Sequence, residues 1–207
     1  SQCFAFTAKK DEYVVKICKA SRYKNPQKKE PDFSSYLLAF EELAEHTQIV
    51  FLHLNPTKQL QISMKLIDPL GIPHFAKADQ ISFYIQKKLV PFSDYVNSFL
   101  PFLSISQAQN IVRELLELCA ESSKRSLQIR DIQWKNIGVL DDKCFWMDPG
   151  RIRKKNVPIT IEEQKKEFVR LSNRLKPLLV SMHPHFETVL EEAIAKKLED
   201  ILRYSHD

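Results

Sequence analysis

The segment 129–150 constrains the fold of this chain more than any other stretch. It contains two short apolar runs, residues 137–140 and 144–147, which are separated by the polar residues 141–143. Short apolar runs on either side of a tight polar turn predict an antiparallel β-hairpin. Such a hairpin brings the residue before its first strand, Asn136, close to the residue after its second strand, Asp148.

The polar side chains around this predicted hairpin have the chemistry of a phosphate site. A carboxylate and an amide oxygen are hard ligands, so Asp148 and Asn136 can hold Mg²⁺, which keeps several waters and is usually shared with substrate phosphates. Asp131, in the loop just before Asn136, can accept a proton from an attacking hydroxyl. The alternative is that Asp131 and Asp148 are ordinary turn residues, since Asp is favoured in turns.

These residues resemble the catalytic and metal-binding loops of the protein kinase superfamily. In that family the first loop reads His-Arg-Asp, with an Asn five residues after the Asp, and the second reads Asp-Phe-Gly. Five residues match: Arg130, Asp131, Asn136, Asp148 and Gly150. Two differ, because Ile129 replaces the His and Pro149 replaces the Phe.

Residues 4–8 and 13–18 read as two strands joined by a charged turn. The second resembles the strand that carries the phosphate-binding lysine of kinases, with Val-Val-Lys-Ile in the place of Val-Ala-Ile-Lys. The resemblance implies Lys16 as the nucleotide-binding lysine, with Lys19 as the alternative. The glycine-rich loop expected before these strands is not visible, since residues 1–4 contain no glycine, and the alternative is that the sequence begins inside that loop. The sequence leaves open what covers the phosphates.

A basic linker is predicted over residues 22–31, followed by a helix over about residues 32–46. Three apolar residues of this helix are predicted to share a face: Leu37, Phe40 and Ala44. Kinase-like proteins place on this helix a glutamate that pairs with the strand lysine. The resemblance therefore implies Glu41 as the partner of Lys16, with Glu45 nearly as well placed.

Strand-like runs follow at residues 49–54, 60–67 and 81–89. The segment 84–92 resembles the kinase hinge, which joins two lobes and contacts adenine through backbone groups. The resemblance implies Lys87 and Leu89 as nucleotide-binding residues.

Helices are predicted after the hinge at residues 93–100, 106–122, 160–180 and 185–204. We therefore expect an α+β protein with a two-lobed protein kinase-like fold. Its β-rich N-lobe, with one main helix, covers residues 1–90, and its reduced helical C-lobe covers residues 91–207. No long activation segment is recognisable after Gly150. The chain is similar to the small, divergent atypical kinases among the secreted effectors of intracellular bacteria.

The activity that the resemblance implies is transfer of the γ-phosphate of ATP to a hydroxyl, with Ser or Thr of a host or cellular protein as the acceptor. Asp148 and Asn136 then hold Mg²⁺, Lys16 positions the α and β phosphates, and Asp131 deprotonates the acceptor. Lys135 supplies the extra positive charge that many kinases place on this loop, although Gln133 stands where protein serine/threonine kinases usually have that lysine.

Three alternatives stay open at this point. The fold can serve as a pseudokinase that binds or scaffolds without transfer, which the missing glycines and the replaced His favour. It can also carry another nucleotide-dependent transfer, such as that of a nucleotidyl group. Finally, the acceptor can be a lipid or another small molecule.

A basic run follows the metal-binding loop: Arg151, Arg153, Lys154 and Lys155. Together with the net charge of +5, it predicts a site for a polyanion such as an inositol phosphate or a phosphoinositide head group. Arg22 and the lysines of the linker can add to this patch. The alternative is a solvated surface, and nucleic acid is disfavoured because no aromatic residues are interleaved with the charges.

The 4 cysteines show no metal-ligand spacing and lie within apolar runs, which predicts buried free thiols and a reducing, cytoplasmic type of compartment. No signal peptide and no apolar run long enough for a membrane span are present in the 207 residues. The chain begins at Ser1 in a strand-like sequence, which favours a domain excised from a longer protein. The resemblance to effectors implies secretion into a host cell.

Overall fold

The computed structural model describes residues 2–8, 10–24, 26–99, 104–180 and 186–204. Helices and antiparallel sheets alternate along the chain, which confirms the predicted α+β class. The chain divides into two compact units, unit 1 with residues 1–88 and unit 2 with residues 89–207.

Unit 1 is built around a four-stranded antiparallel sheet with the strand order β1-β2-β6-β3, beside a separate hairpin of β4 and β5. The strands are β1 (Cys3–Thr7), β2 (Tyr13–Cys18), β3 (Ile49–His53), β4 (Ser63–Ile67), β5 (Pro73–Lys77) and β6 (Phe83–Lys87). On β2, Val15 and Ile17 pack into an apolar cluster with Phe83. Because side chains alternate across a strand, Lys16 lies on the opposite face, beside Tyr84 of the neighbouring strand.

The main helix of unit 1, α1 (Pro26–Glu41), begins well before the predicted start, so the second half of the predicted linker is helical. A proline is well suited to the first helical position, where its missing N–H is not needed. The buried face also differs from the predicted one, and its apolar residues include Phe33, Tyr36 and Ala39. Leu37 is 44% exposed. A short helix, α2 (Ala44–Thr47), follows.

Unit 2 has four helices in its described part: α3 (Phe92–Phe99), α4 (Ile105–Lys124), α5 (Ile161–Val180) and α6 (Phe186–Tyr204). Ser104 and Gln107 form a capping box at the start of α4, in which each side chain bonds the other residue's backbone N–H. The buried face of α4 includes Ile111, Leu115 and Cys119, in agreement with the predicted amphipathic pattern.

The strands of unit 2 form two small antiparallel sheets, β10-β9-β7 and β11-β8. They are β7 (Val90–Pro91), β8 (Leu127–Ile129), β9 (Ile137–Leu140), β10 (Lys143–Trp146) and β11 (Ile152–Lys154). The predicted hairpin is confirmed, because β9 pairs with β10 and Leu140 lies opposite Lys143. Its two turn residues, Asp141 and Asp142, have φ of 49° and 59°, as a type I′ turn requires.

Gly138, in β9, lets Leu89, the first residue of unit 2, lie close to this strand. A Cβ at this position would lie 2.6 Å from the Leu89 Cβ, which is shorter than any normal contact. The glycine therefore lets Leu89 bury its side chain directly against β9, next to the pairing of Pro91 with Gly138.

The 4 cysteines are free and buried, as predicted. Among the described residues, no helix combines the length and the apolar character that a membrane crossing needs. His183 and His185, interpreted from the sequence as part of a helix-start turn, lie outside the described residues.

Candidate functional site

Asn136 joins the loop that precedes the β9–β10 hairpin to the segment that follows it. Its side-chain Nδ2 donates a hydrogen bond of 2.9 Å to the backbone oxygen of Asp131. Its own backbone oxygen accepts bonds from the N–H groups of Met147, at 2.7 Å, and Asp148, at 3.3 Å. Asn136 is only 6% exposed, so these bonds are sheltered from water. One residue thus brings together positions 131, 136 and 148.

The side-chain oxygen atoms of Asn136 and Asp148 at this junction have the chemistry of ligands for a hard cation. Since Asn136 Nδ2 faces Asp131, the amide Oδ1 points away from that bond, an orientation assigned from the hydrogen-bond network. Neither this Oδ1 nor the carboxylate of Asp148 makes a hydrogen bond to another described residue. An amide oxygen and a carboxylate are a sufficient protein contribution for Mg²⁺, which completes its shell with water and phosphate oxygens. The donor set therefore fits Mg²⁺.

In the part of the chain that the structure describes, no group of three or more His, Cys, Asp or Glu side chains is arranged to hold a metal ion.

Asp131 is half-buried in the loop, and its carboxylate is engaged at one oxygen. Gln133 Nε2 donates to Asp131 Oδ1, while Oδ2 has no hydrogen-bond partner among the described residues. The loop is fixed further by Arg174 of α5, whose guanidinium donates a bond of 2.6 Å to the backbone oxygen of Ile132. Arg174 carries no sequence signal for this role, because no motif links it to a loop 42 residues earlier.

Lys135 lies in the 3₁₀ turn Trp134–Asn136, and its side chain is exposed. This position leaves the ammonium group free to reach solvent or a ligand along a flexible stem. Its role as a source of positive charge stays a prediction.

The lysine and glutamate implied by the resemblance lie in unit 1. The Nζ atom of Lys16 lies 5.5 Å from the centroid of the Tyr84 ring, within range of a cation–π interaction. Lys19, the alternative, lies over the ring of Phe4, 4.8 Å from its centroid. Glu41 is the last residue of α1 and is exposed. The pairing of Glu41 with Lys16 stays a prediction.

The two hinge residues differ in their available backbone groups. The N–H of Lys87 donates to the Gln48 oxygen at 3.0 Å, so it is already engaged. The backbone of Leu89, outside every helix and strand, makes no hydrogen bond to another described residue, although its side chain is buried. Leu89 is therefore the better backbone candidate for adenine, and adenine contact at either residue stays a prediction.

The predicted basic run forms β11 and its flanks. Arg151, Arg153 and Lys154 are exposed, whereas Ile152 is buried, because the strand pairs with β8. The Lys155 ammonium forms an ion pair with Glu163, and its hydrogen bond lowers the pKa of that carboxyl. Lys155 is thus partly neutralised within the chain. In unit 1, Arg22 is likewise paired, with Asp32 at 2.9 Å.

Glu167 is a buried carboxyl group that the sequence did not single out. It lies on α5, is 4% exposed, and accepts a hydrogen bond of 3.1 Å from Ser123 Oγ of α4. Burial raises the pKa of Glu167 to about 7, against the lowering effects of the Ser123 bond and the Arg170 charge. Its sequence position carries no signal, since a glutamate in a charged helix normally faces water.

This buried carboxyl predicts a pH-dependent stability of the folded chain. In the unfolded chain Glu167 loses its proton near its ordinary pKa of 4.5, but in the folded chain only near 7. The folded state therefore loses stability as pH rises from about 4.5 to about 7, by about 3 kcal/mol at most. Glu167→Gln should remove this loss and be more stable than the wild type at pH 8. Urea unfolding at pH 5 and pH 8 measures the difference, and equal pH slopes for the two proteins would contradict the prediction.

A scan against protein-family models finds no match for this chain, and a search of the curated proteins finds no significant match.

Proposed function

We propose that this chain is an ATP-dependent phosphotransferase of the protein kinase-like superfamily, with unit 1 as its β-rich lobe and unit 2 as its reduced helical lobe. It transfers the γ-phosphate to a hydroxyl, with Ser or Thr of a protein as the acceptor. One observation carries the proposal. Asn136 bonds the loop of Asp131 and the segment of Asp148 at once, while Asn136 Oδ1 and the Asp148 carboxylate make no hydrogen bond to another described residue.

The order of elements in unit 2 supports the same proposal. The long helix α4 is followed by the Asp131 loop, the β9–β10 hairpin and the Asp148 segment. This is the order that the resemblance to kinases implies. In unit 1, Lys16 lies on a central strand of the sheet, on the face opposite the apolar cluster.

Each residue has a separate task in the proposed mechanism. Asp148 and the Asn136 amide oxygen would hold Mg²⁺, and the ion would supply neutralisation of charge on the phosphates. Asp131 uses Oδ2, the oxygen with no hydrogen-bond partner among the described residues, to orient the acceptor hydroxyl and take its proton. Lys16 contacts the phosphates and is held by Glu41, and Lys135 adds positive charge. Leu89 contacts adenine through its backbone groups.

The partners and the place of action belong to the same proposal. The exposed Arg151 and Arg153 attract an acidic ligand, such as an inositol phosphate or a phosphoinositide head group. The protein acts in a reducing compartment, including a host cell that it reaches as a secreted bacterial effector. This part rests on the resemblance stated above.

The test compares the wild type with Asp148→Asn in two assays. At ATP about 100-fold above its dissociation constant, binding should stabilise the wild type by about 2.7 kcal/mol in the presence of Mg²⁺. Asp148→Asn should lose this stabilisation without unfolding, because it removes the charged metal ligand. In the second assay, γ-labelled ATP and Mg²⁺ are added with a protein acceptor and a cell extract, and label should appear only with the wild type.

Asp141→Asn is the matched control, since Asp141 lies in the exposed hairpin turn, where Asn tolerates the same positive φ. It should behave as the wild type in both assays. A thermal shift with ATP and Mg²⁺ that is unchanged in Asp148→Asn would exclude the metal role. Mass spectrometry of the labelled acceptor separates phosphate from a nucleotidyl group, and a label found only in the lipid fraction identifies a lipid acceptor.

A second candidate is a pseudokinase, which binds nucleotide and transfers nothing. It is favoured by the bond from Gln133 Nε2 to Asp131, which engages one oxygen of the proposed base. A thermal shift with ATP and Mg²⁺ together with no label in any fraction would support this candidate.

A further inference from the structure

Cys3 and Cys18 lie directly opposite each other on neighbouring antiparallel strands of unit 1. In the same ladder, backbone hydrogen bonds run from Lys19 N to Gln2 O at 3.1 Å, next to the cysteines, and from Ala8 N to Tyr13 O at 2.8 Å, at the opposite end. Since hydrogen-bonded and non-hydrogen-bonded pairs alternate along a ladder, the cysteines occupy a non-hydrogen-bonded pair. Such pairs have the shortest Cα separation, about 4.5 Å, which lies within the range that disulfides span.

The two thiols already contact each other. Cys3 Sγ donates to Cys18 Sγ at 3.8 Å, and both residues are buried. Cys3 Sγ also lies 3.6 Å from the Tyr36 hydroxyl of α1, which in turn donates to Gln2 Oε1 at 2.7 Å. The pair is therefore held in register by the strands and by the helix packed beside them.

We propose that Cys3 and Cys18 are a modification site, at which a peroxide oxidises the two thiols to a cross-strand disulfide that joins β1 to β2. One thiol loses its proton, and the thiolate attacks a peroxide oxygen and becomes a sulfenic acid; the O–O bond breaks and the leaving hydroxide takes up the released proton to give water. The second thiol then attacks the sulfenic sulfur and releases a second water. Two thiols and one hydrogen peroxide thus give one disulfide and two waters. The inference rests on the strand geometry and not on the proposed function.

The chemistry of the site sets the rate and the effect of this step. The hydrogen bond with Cys3 and burial raise the pKa of the Cys18 thiol, so the reaction is slow at neutral pH and faster in alkaline solution. The disulfide closes a short loop and ties down β1, an edge strand of the sheet. It should therefore stabilise unit 1, mainly by restricting the unfolded chain. Lys16 lies in the next non-hydrogen-bonded pair, opposite Ala5, so the crosslink forms beside it.

The experiment treats the native protein with hydrogen peroxide at pH 8.5, alkylates the remaining thiols and digests with trypsin. The expected product is one linked pair of peptides, residues 1–9 joined to residues 17–19, in a protein that has lost two hydrogen atoms. Dithiothreitol should reverse the change. Oxidation should raise the melting temperature of unit 1 by about 5 °C or more.

Cys119 and Cys144 serve as internal controls, because both are also buried and free. Cys119→Ser should form the same linked peptides and show the same thermal shift, whereas Cys18→Ser should show neither. The assignment on the wild type needs no variant, so it stays decisive even if Cys18→Ser folds poorly. Four alkylatable thiols after oxidation, or peptides linked through Cys119 or Cys144, would overturn the proposal.

Discussion

Asp131→Asn should slow phosphate transfer by about 10² to 10⁴, the usual contribution of a positioned acid or base. The amide keeps the shape of the side chain and can still contact Gln133, so the loop should keep its conformation. What it loses is the basic oxygen that takes the proton from the acceptor hydroxyl in the proposed mechanism. Affinity for ATP and Mg²⁺ should stay nearly unchanged, because the oxygen atoms proposed to hold Mg²⁺ belong to Asp148 and Asn136. Steady-state transfer rates and thermal shifts with ATP measure the two effects separately.

Asp141→Asn again provides the control, with transfer at the wild-type rate. Transfer by Asp131→Asn at the wild-type rate would exclude Asp131 as the catalytic base. A loss of ATP binding equal to the loss of transfer would instead give Asp131 a role in holding the nucleotide or the loop. The comparison therefore tests the assignment of Asp131 apart from that of Asp148.

Trp146→Ala should destabilise unit 2 by about 3 to 5 kcal/mol, the usual range for removal of a buried large aromatic side chain. Trp146 is 1% exposed, and its Nε1 donates a bond of 3.1 Å to Ser122 Oγ of α4. Ser122 Oγ in turn donates to the Leu118 oxygen at 3.0 Å. The substitution therefore leaves a cavity and removes a buried hydrogen bond. Urea unfolding, followed by circular dichroism, gives the change in the free energy of unfolding.

Trp134→Ala is the matched control, since Trp134 is 39% exposed. It should change the free energy of unfolding by less than about 1 kcal/mol. Similar losses in the two variants would contradict the assignment of Trp146 as the anchor of the hairpin on α4.

Trp146 ends β10, two residues before Asp148. We therefore expect the milder replacement Trp146→Phe to weaken Mg²⁺-dependent ATP binding by more than the loss of folded protein alone would explain.

Local sequence patterns predicted the elements that are determined by residues close together in the chain. The predicted hairpin is confirmed, although its turn consists of only Asp141 and Asp142, with positive φ, and not of the predicted residues 141–143. The strand β2 has the predicted bounds. In contrast, α1 begins before its predicted start and buries a different face, because packing by Phe33, Tyr36 and Ala39 outweighs the cost of Pro31 inside the helix.

Elements that depend on distant partners were missed. The segment of β11 was interpreted only as a basic run, since Ile152 is its single buried residue and its pairing partner β8 comes much earlier in the chain. The strand β5 was missed for a similar reason, because four of its five residues are exposed and it is paired only with β4.

The sequence by itself determined the α+β class, the β9–β10 hairpin and the closeness of Asn136 to Asp148, because hairpin geometry follows from neighbours in the chain. Only the tertiary structure decided which atoms are engaged. Asn136 Nδ2 bonds the Asp131 loop, and Gln133 and Arg174 fix that loop by further hydrogen bonds. Lys155 forms an ion pair with Glu163, and Glu167 is buried beside Ser123. Burial and hydrogen-bond partners depend on elements far apart in sequence, and no local pattern records them.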